Sequence, residues 1–293
     1  MASGKERKLR RRIKSVQSTK KITHAMELIA ASRIQKAQQR VAAARPYADQ
    51  ITEVLRQLAA AGVGTDHPLL AEREINTVGF IVLVGDRGLA GAYNTSVLRT
   101  AHHALQEERA KGRDYSLSLA GKKAEGYFRF RGYEIDENNT GFSEQPSYED
   151  ARRVAGGMMS RYEEGEVDRV QLVYTRFLSV GSQKVTNSQL LPLEKGALED
   201  LAAEGPQADY EYEPSPEGIL ERLLPRYVEA RVYAALLEAA ASEHAARQRA
   251  MKSATDNAEE LTKTLSVEAN KVRQAGITTE IMDVVGGAEA LRQ

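Results

Sequence analysis

The sequence predicts an α/β chain in which both termini form a long antiparallel α-helical coiled coil and a central Rossmann-like α/β domain lies between them. Three observations carry this. Each end is a long run with apolar residues spaced by three and four, the mark of a helical seam. The middle alternates short β-rich runs with helical stretches. The helical run from Ser215 to about Val285 would extend on the order of 100 Å at ~1.5 Å per residue, whereas a compact globule of this length has a radius of gyration of about 19 Å. A helix of that length must protrude from any globular part.

The first run places Leu9, Ile13, Val16, Ile22, Met26, Ile29, Ile34, Ala37, Val41, Ala44, Ile51, Val54, Leu55 and Leu58 on one seam, which Gln17 to Lys21 interrupts with polar residues. It has no glycine between Lys5 and Ala61 and is rich in alanine, so intrinsic propensity agrees with the pattern. Pro46 predicts a local bend, and Gly62-Val63-Gly64 predicts the end.

In the middle, Thr77 to Val84 reads as a buried strand ended by Gly85-Asp86-Arg87-Gly88. A helix from about Thr95 to Ala110, a strand from Tyr115 to Ala120, a polar helix near Lys122 to Arg129, a helix from Tyr148 to Glu164 and a strand from Arg169 to Leu178 follow. A last strand, Ser188 to Leu193, leads into an acidic linker. A small, mostly parallel sheet with helices on its faces is the expectation.

The C-terminal run opens on Pro214-Ser215-Pro216, where Ser215 can cap and Pro216 suits the first helical position. Leu220, Leu223, Leu224, Tyr227, Val228, Leu236, Met251, Leu261, Leu265, Val272, Ile281 and Val284 form its stripe, thinned to alanine between Leu237 and Met251. Pro225 predicts a bend or a late start. The domains so read are 1–62, an N-terminal helix; 76–194, the α/β domain; 195–213, the acidic linker; and 214–293, the C-terminal helix, with the two terminal helices paired. If the helices start level, Lys5 lies near Lys271, and the overhang displays Val272, Ile277, Ile281, Val284 and Val285. Such a stripe calls for burial in another protein.

Composition bounds the chemistry. The 293 residues are 42% hydrophobic and 28% charged, ordinary for a soluble protein. No apolar run approaches the roughly 20 residues that span a bilayer, and the charged N-terminus has no hydrophobic stretch of signal-peptide type, so a cytoplasmic chain is expected. Cysteine is absent, which excludes disulfides and thiolate chemistry, and the five histidines have no metal-ligand spacing. Net charge is zero but uneven: residues 1–45 hold thirteen Lys and Arg against Glu6 and Glu27, leaving 46–215 acidic. A rod facing acidic protein accounts for this, and nucleic acid is an alternative partner.

Gly85, Gly88 and Gly91 resemble a phosphate loop. Their spacing is neither a dinucleotide fingerprint nor a Walker A loop, so a turn that needs small residues for close packing is the preferred reading. Asp86 and Arg87 fit a cap or an ion pair. No catalytic constellation, metal set or cofactor site is found.

Taken in order, these residues resemble the gamma subunit of F-type ATP synthases over essentially the whole chain. The resemblance rests on IKSVQSTKKITHAMELIAASRI from Ile13 to Ile34, GDRGLAGAYN from Gly85 to Asn94, SQLLPLE from Ser188 to Glu194, AMKSATDNAEEL from Ala250 to Leu261 and, most specifically, ITTEIMDVVGGAEA from Ile277 to Ala290. In the last, Ile277, Thr278, Glu280, Asp283, Gly287 and Ala288 satisfy the family's tail pattern. Ala90 stands where relatives often have cysteine, and Pro225 is unusual in the shaft.

The resemblance implies a noncatalytic central-stalk rotor subunit without cofactor. Its tip would be enclosed by a ring of three alpha and three beta subunits, and its foot would meet the epsilon subunit and the membrane c-ring. One copy per complex at the cytoplasmic face of the cell membrane is implied, with no homo-oligomer and no nucleic acid. It places Lys20, Lys21, Ile22 and Met26 near an acidic lever of a beta subunit, and Arg247, Arg273, Gln274, Thr278 and Glu280 at polar beta contacts. A coiled-coil scaffold that binds nucleic acid through residues 5–21 and a small nucleotide-binding enzyme with helical arms are the competing readings.

Overall fold

The structure is a computed structural model that describes residues 2–60, 67–193 and 215–290. It divides into two compact units, one formed by Met1–Ala30 with Gln248–Gln293 and the other by Ala31–Arg247. Helix α1 spans Ala2–Ala60 and helix α5 spans Pro216–Ala290, and each contributes to both units. The glycines expected to end α1 and the linker 195–213 lie outside the described residues.

In the smaller unit the two helices pair antiparallel. Lys5 faces Glu268 at 4.0 Å, Lys20 donates to Glu259 at 3.0 Å, and the hydroxyl of Thr255 donates to that of Thr23 at 2.8 Å, so partner numbers fall as one ascends α1. The buried positions Leu9, Thr23 and Ala30, with half-buried Val16 between, recur at heptad spacing, as do Met251, Ala258, Leu265 and half-buried Val272 on α5. Heptad recurrence gives knobs-into-holes packing with left-handed supercoiling.

That register corrects two sequence assignments. Ile22 and Ile29 are 61% and 54% exposed, because the neighbouring Thr23 and Ala30 hold the seam positions, and the polar interruption at Lys20 is part of the seam. Val272 packs against Leu9, Leu265 and Ala269, so the unpartnered stretch begins only beyond it.

The larger unit is built on a five-stranded sheet ordered β3-β2-β1-β4-β5. Strands β1 (Thr77–Leu83), β2 (Asp114–Ala120), β3 (Glu137–Asn139) and β4 (Arg169–Phe177) are mutually parallel, and β5 (Gln183–Leu191) runs antiparallel to β4. Strand β3 escaped the sequence reading because Glu-Asn-Asn carries no β signal, and β5 begins earlier than expected for the same reason, its first half being polar and half-exposed.

Central strand β1 is buried on both faces, as a parallel strand covered by helices must be. Val78, Phe80 and Val82 pack beneath α2 (Tyr93–Ala110) and α3 (Lys122–Phe130). Ile81 and Leu83 point the other way, into a core with α4 (Tyr148–Glu163), Leu55 and Leu58 of α1, and Leu224 and Val228 of α5. Gly79 lies on that second face, where a Cβ would come within 2.5 Å of the Met158 sulfur. Helix α4 begins in a full capping box between Ser147 and Asp150.

Helix α5 starts at Pro216, with the Ser215 hydroxyl accepting from the Gly218 amide at 3.2 Å, and runs through Pro225 without a break. The late start offered by Pro225 is therefore corrected. Pro225 has no amide to give to the carbonyl of Glu221, one turn earlier. The His67 ring lies near that carbonyl, and its Nδ1 accepts from the Leu69 amide at 3.1 Å. Burial pulls the His67 pKa down, in keeping with a neutral ring that can accept and donate at once. Pro46 likewise lies inside an uninterrupted α1.

Gly121, between β2 and α3, has φ 112° and would place a Cβ 2.2 Å from the carbonyl oxygen of Val84. Gly121→Ala is expected to destabilise the larger unit by more than about 2 kcal/mol, since backbone strain and a contact that cannot relax act together. Thermal unfolding of the full chain followed by circular dichroism measures it.

Candidate functional site

In open α/β sheets, ligands lie beyond the carboxyl ends of the strands where the strand order reverses. Here that reversal falls between β1 and β4. The crevice is filled by α5. The Ser242 hydroxyl donates to the Thr175 carbonyl at 3.1 Å, and the buried Tyr93 hydroxyl donates to the Ala239 carbonyl at 3.1 Å. A Cβ at Gly85 would lie 2.9 Å from the Glu243 carboxylate. The glycine after β1 thus makes room for a carboxylate of the same chain, and the turn that resembles a phosphate loop is a packing turn.

The rest of this loop is tied down by polar side chains. Asp86 accepts from the amides of Lys122, Gly141 and Ser143 at 3.0, 2.9 and 3.2 Å, which caps α3 and fixes the segment after β3. Asn94 accepts from the Gly85 amide at 2.8 Å and donates to the Arg87 carbonyl at 3.1 Å.

Beneath the loop lies a buried charge cluster. Arg247, 7% exposed, pairs with fully buried Glu243 one turn earlier and with Glu144 at 3.4 Å. Burial raises the Glu243 pKa, opposed by the Arg247 guanidinium. His244 sets Nε2 against the Glu144 carbonyl at 3.2 Å and Nδ1 against Arg247 at 3.4 Å, and burial lowers its pKa. This hydrogen-bond pattern assigns the neutral tautomer protonated at Nε2. Glu243 and Glu144 were not singled out from sequence, although the Glu-x-x-x-Arg spacing within an alanine-rich helix was a usable signal.

The smaller unit carries a different surface. Ile22, Leu28 and Ile29 on α1, and Ile277, Ile281, Met282, Val284 and Val285 on α5, are each 48% or more exposed. Large aliphatics left open in this number mark a surface that another molecule covers.

Comparison with known proteins decides the family. A family model described as ATP synthase matches residues 5–291. ATP synthase gamma chains of Frankia casuarinae and Parafrankia sp. are 51% and 52% identical, each over 99% of this chain and 98% of the relative. The chain belongs to the ATP synthase gamma-chain family. The gamma chain of Mycolicibacterium smegmatis is 49% identical over 97% of both chains. Among solved structures, a chain of the Euglena gracilis mitochondrial ATP synthase OSCP/F1/c-ring assembly is similar in fold at a TM-score of 0.68 and 19% identity, over 99% of this chain and 95% of that one. A chain of the Euglena rotor matches at 0.66 and 20% identity, over 94% and 99%.

The positions that the gamma-chain family implies as partner contacts fall into three places. Lys20 is engaged with Glu259, and Lys20 and Lys263 hold that carboxyl below its ordinary value. Lys21 and Ile22 beside it are exposed, and Met26 is half-buried. Arg273, Gln274, Ile277, Thr278, Glu280 and Asp283 are all exposed on α5, with the Thr278 hydroxyl donating to the Gln274 carbonyl at 3.0 Å. Since Lys20 sits opposite Glu259, this second group begins about 21 Å further along α5, at ~1.5 Å per residue. Gly287 and Ala288 lie in the α5 backbone, and the Ala288 side chain is outside the described residues. Arg247 belongs with neither group, because its guanidinium is consumed inside the larger unit by Glu243 and Glu144.

Arg247→Ala leaves the Glu243 carboxylate buried and unpaired, an expected loss of about 3–5 kcal/mol. A raised native pKa means that the folded state holds the proton more tightly than the unfolded chain. Glu243 therefore destabilises increasingly as pH rises above its ordinary 4.5, the penalty being complete above the native value. Denaturant melts from pH 5 to 8 are expected to show a steeper fall in stability for Arg247→Ala than for the parent, and a shallower one for Glu243→Gln.

Proposed function

We propose that this chain is the central-stalk rotor subunit of an F-type ATP synthase and is itself noncatalytic. It would couple proton-driven rotation of the membrane c-ring to conformational cycling of three catalytic beta subunits, and run in reverse during ATP hydrolysis. The observation that carries this reading is full-length membership of the gamma-chain family, together with a smaller unit whose end is lined by exposed aliphatics.

In this reading the stretch beyond Val272 turns inside a ring of three alpha and three beta subunits, and Ile277, Ile281, Val284 and Val285 are buried there. Lys21 and Ile22, with Lys20 and Met26, face an acidic lever of a beta subunit, where the positive N-terminal region supplies complementary charge. Arg273, Gln274, Thr278 and Glu280 provide polar contacts nearer the tip. The larger unit meets the epsilon subunit and the c-ring. Attachment would be peripheral, at the cytoplasmic face of the cell membrane, with one copy per complex; among the described residues no helix is long and apolar enough to cross a membrane.

Mechanism follows from asymmetry. A pair of wound helices offers different side chains on different sides, so each of three chemically identical beta subunits meets a different face. Each face acts only through its differential affinity for the open and closed beta conformations, and rotation moves that bias around the ring. The competing nucleic-acid scaffold draws no support from the relatives, which are gamma chains.

Reconstitution with alpha and beta subunits tests the reading. The full chain is expected to assemble into a hexamer with rapid ATP turnover, and a chain ending at Lys271 to assemble more weakly with lower turnover. Failure of the full chain to associate under any nucleotide condition overturns it.

A further inference from the structure

We propose that the cavity between Arg33, Lys36 and Arg40 of α1 and the segment Glu144–Pro146 binds a phosphate-class oxyanion. The cavity has a volume of about 260 Å³ and lies wholly within the larger unit. At about 30 Å³ per water in the liquid, it holds a phosphate group with several of its waters, or a phosphoester.

Its charge is unbalanced. Glu144 is the one carboxylate on its wall, and that group is already matched by Arg33, by Arg87 at 3.6 Å and by Arg247 at 3.4 Å. Lys36 and Arg40 thus enter the cavity as a cationic excess, beside an Arg33 that is paired with Glu144. Lys36 makes no ion pair or hydrogen bond among the described residues. Arg40 donates one N–H to the Pro146 carbonyl at 2.6 Å, which holds its planar guanidinium in place with further donors to spare. Such a fork matches an oxyanion in two-point contact.

The remaining wall favours an anion over water alone. Ala37, Leu237 and Ala240 are buried and apolar, so they lower the local dielectric and strengthen each cation–anion attraction. His244 is committed to the Glu144 carbonyl and to Arg247, which leaves recognition to Lys36 and Arg40, with Arg33 held beside them by Glu144.

The test uses the full chain, titrated calorimetrically and by thermal shift with inorganic phosphate against chloride at matched ionic strength. Phosphate is expected to bind saturably, and Lys36→Ala to weaken it at least tenfold. Lys21→Ala, on exposed surface elsewhere, is expected to leave it unchanged. ADP binding with the same dependence on Lys36 would identify a nucleotide's phosphates as the source, and binding of inorganic phosphate alone would identify the free ion. Equal protection by chloride overturns the proposal, as does Lys36→Ala titrating like the parent or Lys21→Ala losing as much. Saturation by a glutamate-rich peptide with none by phosphate also overturns it, in favour of an acidic segment of a partner protein.

Discussion

The seating of α5 against the carboxyl ends of β1 and β4 is the constraint on which the larger unit depends. The Ser242 hydroxyl ties α5 to the Thr175 carbonyl of β4, the Tyr93 hydroxyl of α2 reaches the Ala239 carbonyl, and the Glu243 carboxylate fits only because residue 85 has no side chain. Once Glu243 is buried, Arg247 must follow to neutralise it, and Glu144 must come in to share Arg247. The loop carrying Glu144 is in turn fixed through Ser143 by Asp86. One packing choice thus propagates through a chain of obligatory polar contacts, because an unpaired charge in that interior is not tolerated.

This explains how an α/β sheet of nucleotide-binding appearance can serve a mechanical role. The place where such sheets hold ligands is occupied by the chain itself, and the glycine-rich turn that elsewhere cradles phosphate here admits a helix. Fold and function separate at this crevice. In the smaller unit the division of labour differs. Leu9, Met251 and Leu265 share the seam with small and polar residues such as Ala30, Thr23 and Thr255, while other large aliphatics such as Ile22, Ile281 and Val284 are exposed.

Much of this was legible in the sequence. The two long helices, four of the five strands and the three helices of the central domain follow from hydrophobic period, and Ser215 as a cap follows from its place before Pro216. What was not legible depended on pairing. Ile22 and Ile29 look like seam residues to any count of apolar positions, and only the partner helix shows that Thr23 and Ala30 hold the heptad. Strand β3 exists because β2 offers it an edge, and its own residues give no hint. The proposed contact residues Lys21, Arg273 and Glu280 came from resemblance alone, since an exposed charge on a helix looks the same with or without a partner. Arg247 shows the opposite: a charge assigned to a surface that the fold had already consumed.

The hydroxyl pair Thr23–Thr255 bears on how the smaller unit fails under load. An apolar heptad seam fixes register only through the shapes of its side chains, so two helices meeting on it could slip by a heptad and bury similar apolar groups again. The hydroxyl pair opposes this, since a slip breaks the Thr23–Thr255 bond, while each hydroxyl keeps a carbonyl of its own helix, Lys20 for Thr23 and Met251 for Thr255. Lys20 with Glu259 adds a second notch beside the first. Axial shear between the helices therefore breaks two specific polar contacts in addition to the apolar packing around Leu9 and Leu265.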